Sequence, residues 1–146
     1  SLVGEGAAAV AGGRAASEED IEWAAGILAA VGEVVVVPEA LLDAVTGLSG
    51  SGPAYVFLLA EALMDAGEAE GLPREVAVAL TEQTLLGAAT LLSRSDDPAA
   101  TLRENVTSAG GTTAAGLAVF EAGGFRQLVS DVVAAATERS RQLGAG

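Results

Sequence analysis

The sequence contains no cysteine, no histidine and no lysine, and all seven of its basic residues are arginine. Without cysteine, it can form no disulfide bond and has no thiol nucleophile. Without histidine, it can form no imidazole-based zinc site and no serine–histidine pair. Without lysine, it can form neither a Schiff base nor the phosphate-binding loop of P-loop nucleotidases. These absences exclude most reactions that a protein carries out with its own side chains.

Positive charge and long apolar runs are also scarce. The formal net charge is −13, so the chain would repel a nucleic-acid backbone, and we expect no nucleic-acid partner. The longest run without a charged residue, residues 44–60, is interrupted by glycine, serine and proline, whereas a membrane span needs about 18 mostly apolar residues. We therefore expect a soluble, cytoplasmic protein without membrane contact, in agreement with the missing cysteines and secretory signal. The start at Ser1 rather than methionine predicts that a preceding segment is missing.

The first 38 residues predict a strand, a helix and a second strand. Residues 3–11 are rich in glycine and alanine and predict a short strand that ends at two glycines. Ser17, with Asp20 three residues later, has the capping pattern of a helix that runs to about Val31. Residues 33–37 are mostly valine and predict a buried strand. This order is typical of an α/β domain but too short to be a whole one.

From residue 39 onward the sequence predicts helices alone. They are expected at about residues 40–45, 54–69, 74–93, 99–105, 113–122 and 125–143. The second and third are apolar on nearly every face, and such helices must be surrounded by protein. One small helical domain cannot easily cover both, so the pattern predicts a second subunit that covers them.

Residues 47–53 form the first of two glycine-rich motifs. They do not fit a dinucleotide-binding fingerprint, because Tyr55 stands where the third small residue belongs and the motif follows a helix. They do not fit a serine nucleophile elbow, because no five-residue window has serine at its centre and glycine at both ends. The motif therefore predicts a tight corner between two helices with close backbone approach, and a ligand-facing loop is the alternative.

The second motif, residues 107–113, leads directly into a helix. Backbone N–H groups, the positive end of the helix dipole and up to four hydroxyl groups converge there, which favours a small carboxylate held by neutral donors. The alternative is ordinary helix capping by serine or threonine. The carboxylates elsewhere show no metal-ligand spacing, so we expect no metal site and interpret them as solvated: Asp43, Glu61, Asp65, Glu82 and Glu121.

Four segments in combination resemble the pyrroline-5-carboxylate reductase family: residues 43–57, 71–73, 83–89 and 106–116. The similarity covers essentially the whole chain, with one departure at Ala109, where the family usually has a proline that would stiffen the loop. The resemblance implies a mainly α fold. Residues 39–146 would be an all-helical dimerisation and substrate-binding domain like the C-terminal domain of 6-phosphogluconate dehydrogenase. Residues 1–38 would be the C-terminal remnant of a Rossmann domain.

The same resemblance implies an oxidoreductase that uses NADPH or NADH to reduce Δ1-pyrroline-5-carboxylate to L-proline, the last step of proline biosynthesis. It implies a homodimer with interleaved helices, and further assembly of dimers is common in the family. The glycine-rich phosphate loop of the cofactor domain is not in this sequence, so the chain alone is expected to be inactive. The alternative function is a non-catalytic helical oligomerisation module.

The resemblance also assigns site residues. The substrate carboxylate would be held by Ser108, Gly110, Gly111, Thr112 and Thr113. The Thr113 hydroxyl would contact the ring nitrogen, and Ser51 and Gly52 would lie near the nicotinamide. A protonated cyclic imine is already electrophilic, so a site that only orients substrate and cofactor needs no histidine, lysine or cysteine.

Overall fold

The computed structural model describes residues 3–145, which form two compact units. One unit contains residues 3–53 and 128–145, and the other contains residues 54–127. The elements follow in the order β1 (Gly6–Val10), α1 (Glu18–Ala29), β2 (Gly32–Val36), a 3-10 turn (Glu39–Leu41), α2 (Leu42–Val45), a π-helical turn (Thr46–Gly50), α3 (Gly52–Ala69), α4 (Arg74–Arg94), α5 (Ala99–Asn105), α6 (Thr112–Ala122) and α7 (Phe125–Gly144). The mainly α fold with two short strands agrees with the prediction.

The first unit begins with a parallel strand pair joined through α1. The register runs from Gly6 opposite Gly32 to Val10 opposite Val36. The predicted capping box at the start of α1 is present: the Asp20 N–H donates to the Ser17 hydroxyl at 3.2 Å, and the Ser17 N–H donates to the Asp20 carboxylate at 2.8 Å. The hydrogen bonds from Ser17 hold the pKa of Asp20 below its ordinary value.

The prediction that the second strand is buried is wrong for this chain. Val35 and Val36 in β2 are 49% and 60% exposed. Among the described residues, β1 is the only strand that pairs with β2, and α1 is the helix that packs against it. A parallel sheet is normally covered by helices on both faces, so this strand pair lacks the surroundings that the valine run was predicted to have.

The C-terminal part of α7 packs against α2 and the π-helical turn in the same unit. The Ser140 hydroxyl donates to the Asp43 carboxylate at 2.7 Å. Gly47 is buried against Thr137, one of the few buried residues of the chain. The close backbone approach predicted at the first glycine motif is confirmed. The predicted separation of the helices at about residues 40–45 and 54–69 is wrong, because a π-helical turn continues from α2.

The second unit begins at residue 54, within α3, and continues into α4. A methyl group added at Gly67 in α3 would lie 3.2 Å from the Ala77 side chain in α4, so small residues allow the two helices to meet. Arg74 donates to the carboxylates of Asp65 at 2.5 Å and Glu68 at 3.3 Å, and these groups raise the pKa of Arg74. The contacts lie near the connected ends of the two helices.

Large apolar side chains remain exposed over the rest of this unit. Among the described residues, α3 to α6 do not pack along each other's length, and Ala77 and Thr81 are the buried positions. Exposed side chains include Val56, Phe57, Leu58, Leu80, Leu86, Leu91, Leu92 and Val119. Exposed apolar surface on this scale marks an interaction site. The unit therefore encloses almost no core by itself.

Helix α4 is also the one helix within residues 3–145 that is long and apolar enough to cross a membrane by length and composition. Helices from the cores of soluble proteins pass the same test, so a single such helix is weak evidence for a membrane span.

Candidate functional site

The second glycine motif connects α5 to α6, and its first residue, Thr107, makes its hydrogen bonds to α5. The Thr107 hydroxyl donates to the Arg103 carbonyl at 2.6 Å, and the Thr107 N–H donates to the Glu104 carbonyl at 2.9 Å. These bonds complete the last turn of α5. We expected up to four hydroxyl groups to converge at this motif. The Thr107 hydroxyl is bonded within α5, so at most three remain, those of Ser108, Thr112 and Thr113.

A tight turn follows at residues 108–111. The Gly111 N–H donates to the Ser108 carbonyl at 3.0 Å, and Gly110 has a φ of +70°. A left-handed glycine at the third position is characteristic of a type II turn, which favours proline at the second position. Ala109 occupies that second position, and its N–H donates no hydrogen bond within residues 3–145. The turn brings Ser108 to the start of α6.

Ser108 lies directly beside Gly111, the N-cap residue of α6. A methyl group at position 111 would overlap the Ser108 hydroxyl oxygen and would lie 3.2 Å from the Ser108 carbonyl oxygen. Gly111 has a φ of −80°, which any residue can adopt, so glycine is needed there for space rather than for backbone conformation. The absent side chain allows the serine hydroxyl to approach the first turn of α6.

The N-terminus of α6 carries no side-chain cap and no acidic residue in its first turn. The first backbone bond into this helix runs from the Ala115 N–H to the Gly111 carbonyl at 3.1 Å, so the N–H groups of Thr112 and Thr113 precede it. The alternative of ordinary capping by a hydroxyl is therefore not what the structure shows. Ser108, Thr112 and Thr113 are exposed beside these N–H groups, an arrangement that suits an anion.

The first helix shows the opposite arrangement. Ser17 and Asp20 cap its N-terminus, and Glu18 and Glu19 add two further acidic side chains in the first turn. The Ser17 hydroxyl accepts from the Asp20 N–H, and the acidic side chains repel anions. Although two glycines follow β1, this helix start therefore does not fit the diphosphate of a dinucleotide.

The first glycine motif is a continuous helical path rather than an open loop. The Ser51 N–H donates to the Thr46 carbonyl at 2.9 Å, which closes the π-helical turn. The hydroxyls of Thr46 and Ser49 donate to the carbonyls of Leu42 and Val45 at 2.9 and 3.1 Å. These side-chain bonds satisfy carbonyl groups where the regular helical pattern changes.

Ser51 and Gly52 follow this turn directly and are half-buried. The space beside the Gly52 Cα atom is open, with nothing within 4 Å of an added methyl group. Ser51 and Gly52 belong to the first unit, and residues 108–113 belong to the second. Within residues 3–145, no cluster of acidic side chains could hold a metal ion.

Two features were missed by sequence reasoning, the contact between Gly47 and Thr137 and the hydrogen bond from Ser140 to Asp43. A glycine within a helical segment signals close backbone approach. It does not identify the partner, which lies some ninety residues further along the chain.

Comparison with known proteins identifies the family. The family model for pyrroline-5-carboxylate reductase dimerisation matches residues 39–143. The chain belongs to this family. The curated pyrroline-5-carboxylate reductase of Arabidopsis thaliana is 50% identical over 143 residues, which are 98% of this chain and 52% of that protein. The reductase of a Synechocystis strain is 49% identical over 99% of this chain and 54% of its own length.

Solved structures of pyrroline-5-carboxylate reductases have the same fold. A Plasmodium falciparum pyrroline carboxylate reductase, whose structure has NADP bound, matches 98% of this chain and 55% of its own, with a TM-score of 0.89 and 37% identity. The Coxiella burnetii enzyme matches 97% of this chain and 53% of its own, with a TM-score of 0.92 and 40% identity. The family resemblance drawn from the four sequence segments is thus confirmed. The chain spans about half the length of the curated relatives that it matches.

Proposed function

We propose that this chain is the dimerisation and substrate-binding part of an NAD(P)H-dependent pyrroline-5-carboxylate reductase, which forms L-proline from Δ1-pyrroline-5-carboxylate. Residues 39–146 are its helical domain, and residues 1–38 are the remnant of its Rossmann domain. The observation that carries the proposal is the uncapped N-terminus of α6, with Ser108 beside it, in a chain whose curated relatives are named as this enzyme. The alternative, a non-catalytic oligomerisation module, would leave these donors without a role.

The substrate carboxylate accepts hydrogen bonds from the N–H groups of Thr112 and Thr113 and from the Ser108 hydroxyl. Gly110 and Gly111 carry no side chain that would keep the carboxylate away from the backbone. The Thr113 hydroxyl faces the ring nitrogen. Neutral donors and the helix dipole suffice for a single negative charge, so the site needs no lysine or histidine.

The nicotinamide cofactor supplies the hydride when it is bound. Apart from its chain neighbours and the backbone of α3, no atom of the described chain lies within 4 Å of a methyl group added at Gly52, and we assign Ser51 and Gly52 to the edge of the nicotinamide ring. The acidic start of α1 does not fit the diphosphate, so we assign that part of the cofactor to residues outside 3–145. The residues of this chain bind and orient the imine, which provides much of the rate enhancement when a cofactor performs the chemistry.

The exposed apolar helices support a homodimer in which a second copy covers α3 and α4 with interleaved helices. Obligate dimer interfaces are as apolar as a domain core. Assembly of dimers into larger oligomers is a further expectation. We also expect a soluble cytoplasmic protein, in which the apolar face of α4 is covered by protein rather than by lipid.

Proline binding tests the carboxylate site on the chain itself. We expect proline to shift the amide resonances of Ser108, Gly111, Thr112 and Thr113 in ¹H–¹⁵N spectra. Pyrrolidine, which has the same ring without the carboxylate, is the matched control and is expected to leave them unchanged. Equal effects of both ligands, or shifts confined to other residues, would contradict the carboxylate assignment.

Activity is tested in a chimera. The part of the Arabidopsis thaliana relative that this chain does not cover is joined to residues 3–145, and NADPH-dependent reduction of Δ1-pyrroline-5-carboxylate is measured. We expect turnover by the chimera and none by the 146-residue chain alone. A folded, dimeric chimera without turnover, combined with no response to proline, would favour the oligomerisation module.

A further inference from the structure

The π-helical turn of residues 46–50 rests on the backbone of α7. A methyl group added at Gly47 would overlap the Thr137 hydroxyl oxygen and would lie 2.9 Å from both the Thr137 nitrogen and the Val133 carbonyl oxygen. Thr137 is 7% exposed and Gly47 is buried, so this contact is among the most enclosed in the first unit. A close backbone approach leaves little freedom for the turn to shift.

The contact is part of a longer matched surface. Val133, Thr137 and Ser140 follow helical spacing and lie on one face of α7. Asp43 and Gly47 are four residues apart on the facing segment, and the Ser140 hydroxyl donates to the Asp43 carboxylate at 2.7 Å. One polar contact at Asp43 and one packing contact at Gly47 therefore hold α2 and the first part of the turn against α7.

The π-helical turn also determines where α3 begins. The bond from the Ser51 N–H to the Thr46 carbonyl closes the turn, and α3 starts at the next residue, Gly52. A shift of the turn relative to α7 would thus move Ser51 and Gly52 with it. We infer that Thr137 is a positioning residue, which holds the π-helical turn so that Ser51 and Gly52 face the nicotinamide ring; this role rests on the proposed function.

Amide spectra of the 146-residue chain test the positioning itself, without cofactor. We expect Thr137→Ala to shift the Ser51 and Gly52 resonances and to speed exchange of the Ser51 amide hydrogen by about tenfold, since the turn loses the side chain that supports it. Thr137→Ser keeps the hydroxyl and is expected to restore both. Ser130→Ala removes a hydroxyl from an exposed position of α7 and is the matched control.

Kinetics of the chimera test the consequence. We expect Thr137→Ala to lower kcat by about tenfold or more while changing the KM for Δ1-pyrroline-5-carboxylate less than about twofold, because misplacing the hydride donor affects the chemical step. Thr137→Ser is expected to restore kcat. A loss that Thr137→Ser does not restore, or an increase in KM of the same size as the decrease in kcat, would overturn the role.

The two proposals fail in different ways. If the unsubstituted chimera has no activity but Thr137→Ala still shifts Ser51 and Gly52, the enzymatic function is wrong and the packing relationship stands. If the Ser51 and Gly52 amides respond to Thr137→Ala no more than to Ser130→Ala, the positioning role is overturned whatever the activity. Should Thr137→Ala not fold, Thr137→Val replaces the hydroxyl that lies against Gly47 with a bulkier methyl group, which should displace the turn, and unchanged Ser51 and Gly52 amides in that variant would also overturn the role.

Discussion

The Ser108 hydroxyl oxygen lies against the Cα atom of Gly111, in the position that a side chain at residue 111 would occupy. The turn between them is closed by the bond from the Gly111 N–H to the Ser108 carbonyl. Backbone geometry therefore places the serine at the uncapped start of α6, and the site does not depend on a network of charged side chains. This explains how a chain without lysine or histidine can present several donors to one anion.

Gly111→Ala should weaken proline binding by about tenfold, because the new methyl group displaces the Ser108 hydroxyl, which we propose donates to the carboxylate. The effect acts through space, since the φ of residue 111 is ordinary for alanine. Titration of the 146-residue chain with proline, followed by amide resonances, measures it. Gly26→Ala, at an open and exposed position within α1, is the control and should leave proline affinity unchanged. Unchanged proline affinity in Gly111→Ala would show that Ser108 does not bind the carboxylate.

Ala109→Pro should stabilise the protein by about 0.4–1 kcal/mol, because proline restricts the unfolded chain and suits the second position of a type II turn. No hydrogen bond is lost, since the Ala109 N–H has no acceptor within residues 3–145. Urea denaturation at a fixed protein concentration gives the free energy of unfolding. A decrease in stability would show that the turn cannot accommodate the residue that the family usually has.

The sequence predicted the elements whose signals are local. The capping pattern of Ser17 and Asp20 and the glycine and proline residues between the later helices place most element boundaries within a few residues. At the start of α5 the boundary is as predicted but the capping group is not. Two aspartates precede the helix, yet Pro98 is its N-cap and no side chain caps it. Local chemistry predicts where a helix begins better than which group caps it.

The misinterpreted elements depend on distant parts of the chain. Glycine propensity predicts a break at residues 47–52, but contact with Thr137 stabilises a π-helical turn there. The valines of β2 predict burial that this strand pair does not supply. The close backbone approach at Gly47 could be predicted but not its partner, and a free helix start at Thr112 could be predicted but not the position of Ser108 beside it.

Thr113→Ala in the chimera should reduce kcat/KM by a factor equivalent to about 1–3 kcal/mol of transition-state binding, if its hydroxyl contacts the ring nitrogen. The measurement is steady-state kinetics with Δ1-pyrroline-5-carboxylate as the varied substrate. Thr90→Ala is the control, because the Thr90 hydroxyl donates to the Leu86 carbonyl within α4. Unchanged kinetics for Thr113→Ala would show that the Thr113 hydroxyl does not contact the ring nitrogen and that Thr113 is only part of the first turn of α6.

Leu58→Glu should convert the protein to a monomer at micromolar concentration. Leu58 in α3 is 67% exposed in the single chain, and an unpaired carboxylate buried in an apolar interface is strongly destabilising. Light scattering gives the mass of the assembly. Leu143→Glu serves as the control, because Leu143 lies near the C-terminal end of α7 and is exposed to a similar extent. A dimer that persists in Leu58→Glu would show that α3 is covered by something other than the second copy.

The ion pair between Glu121 and Arg126 should make stability depend on acid pH. Arg126 donates from Nε and from a terminal nitrogen to the Glu121 carboxylate at 3.0 and 2.9 Å, which holds the pKa of Glu121 below its ordinary value. A pKa that is lower in the folded state stabilises the protein above the unfolded-state pKa of about 4.3, and this contribution is lost as the pH falls through the folded-state value. Both side chains are more than half exposed, so solvent and salt keep the effect small.

Glu121→Gln removes this dependence and gives the test. Its urea midpoint should lie below that of the unsubstituted chain at pH 7, and the difference should shrink as the pH falls through the folded-state pKa of Glu121. Glu82→Gln removes a carboxylate that makes no ion pair in the part of the chain that the structure describes, and should show no such difference. A deficit of Glu121→Gln that does not shrink as the pH falls would assign its cause to the neutral side chain. The join between α6 and α7 would then depend on packing, such as that of Phe120 and Phe125 at a centroid distance of 4.8 Å, rather than on charge.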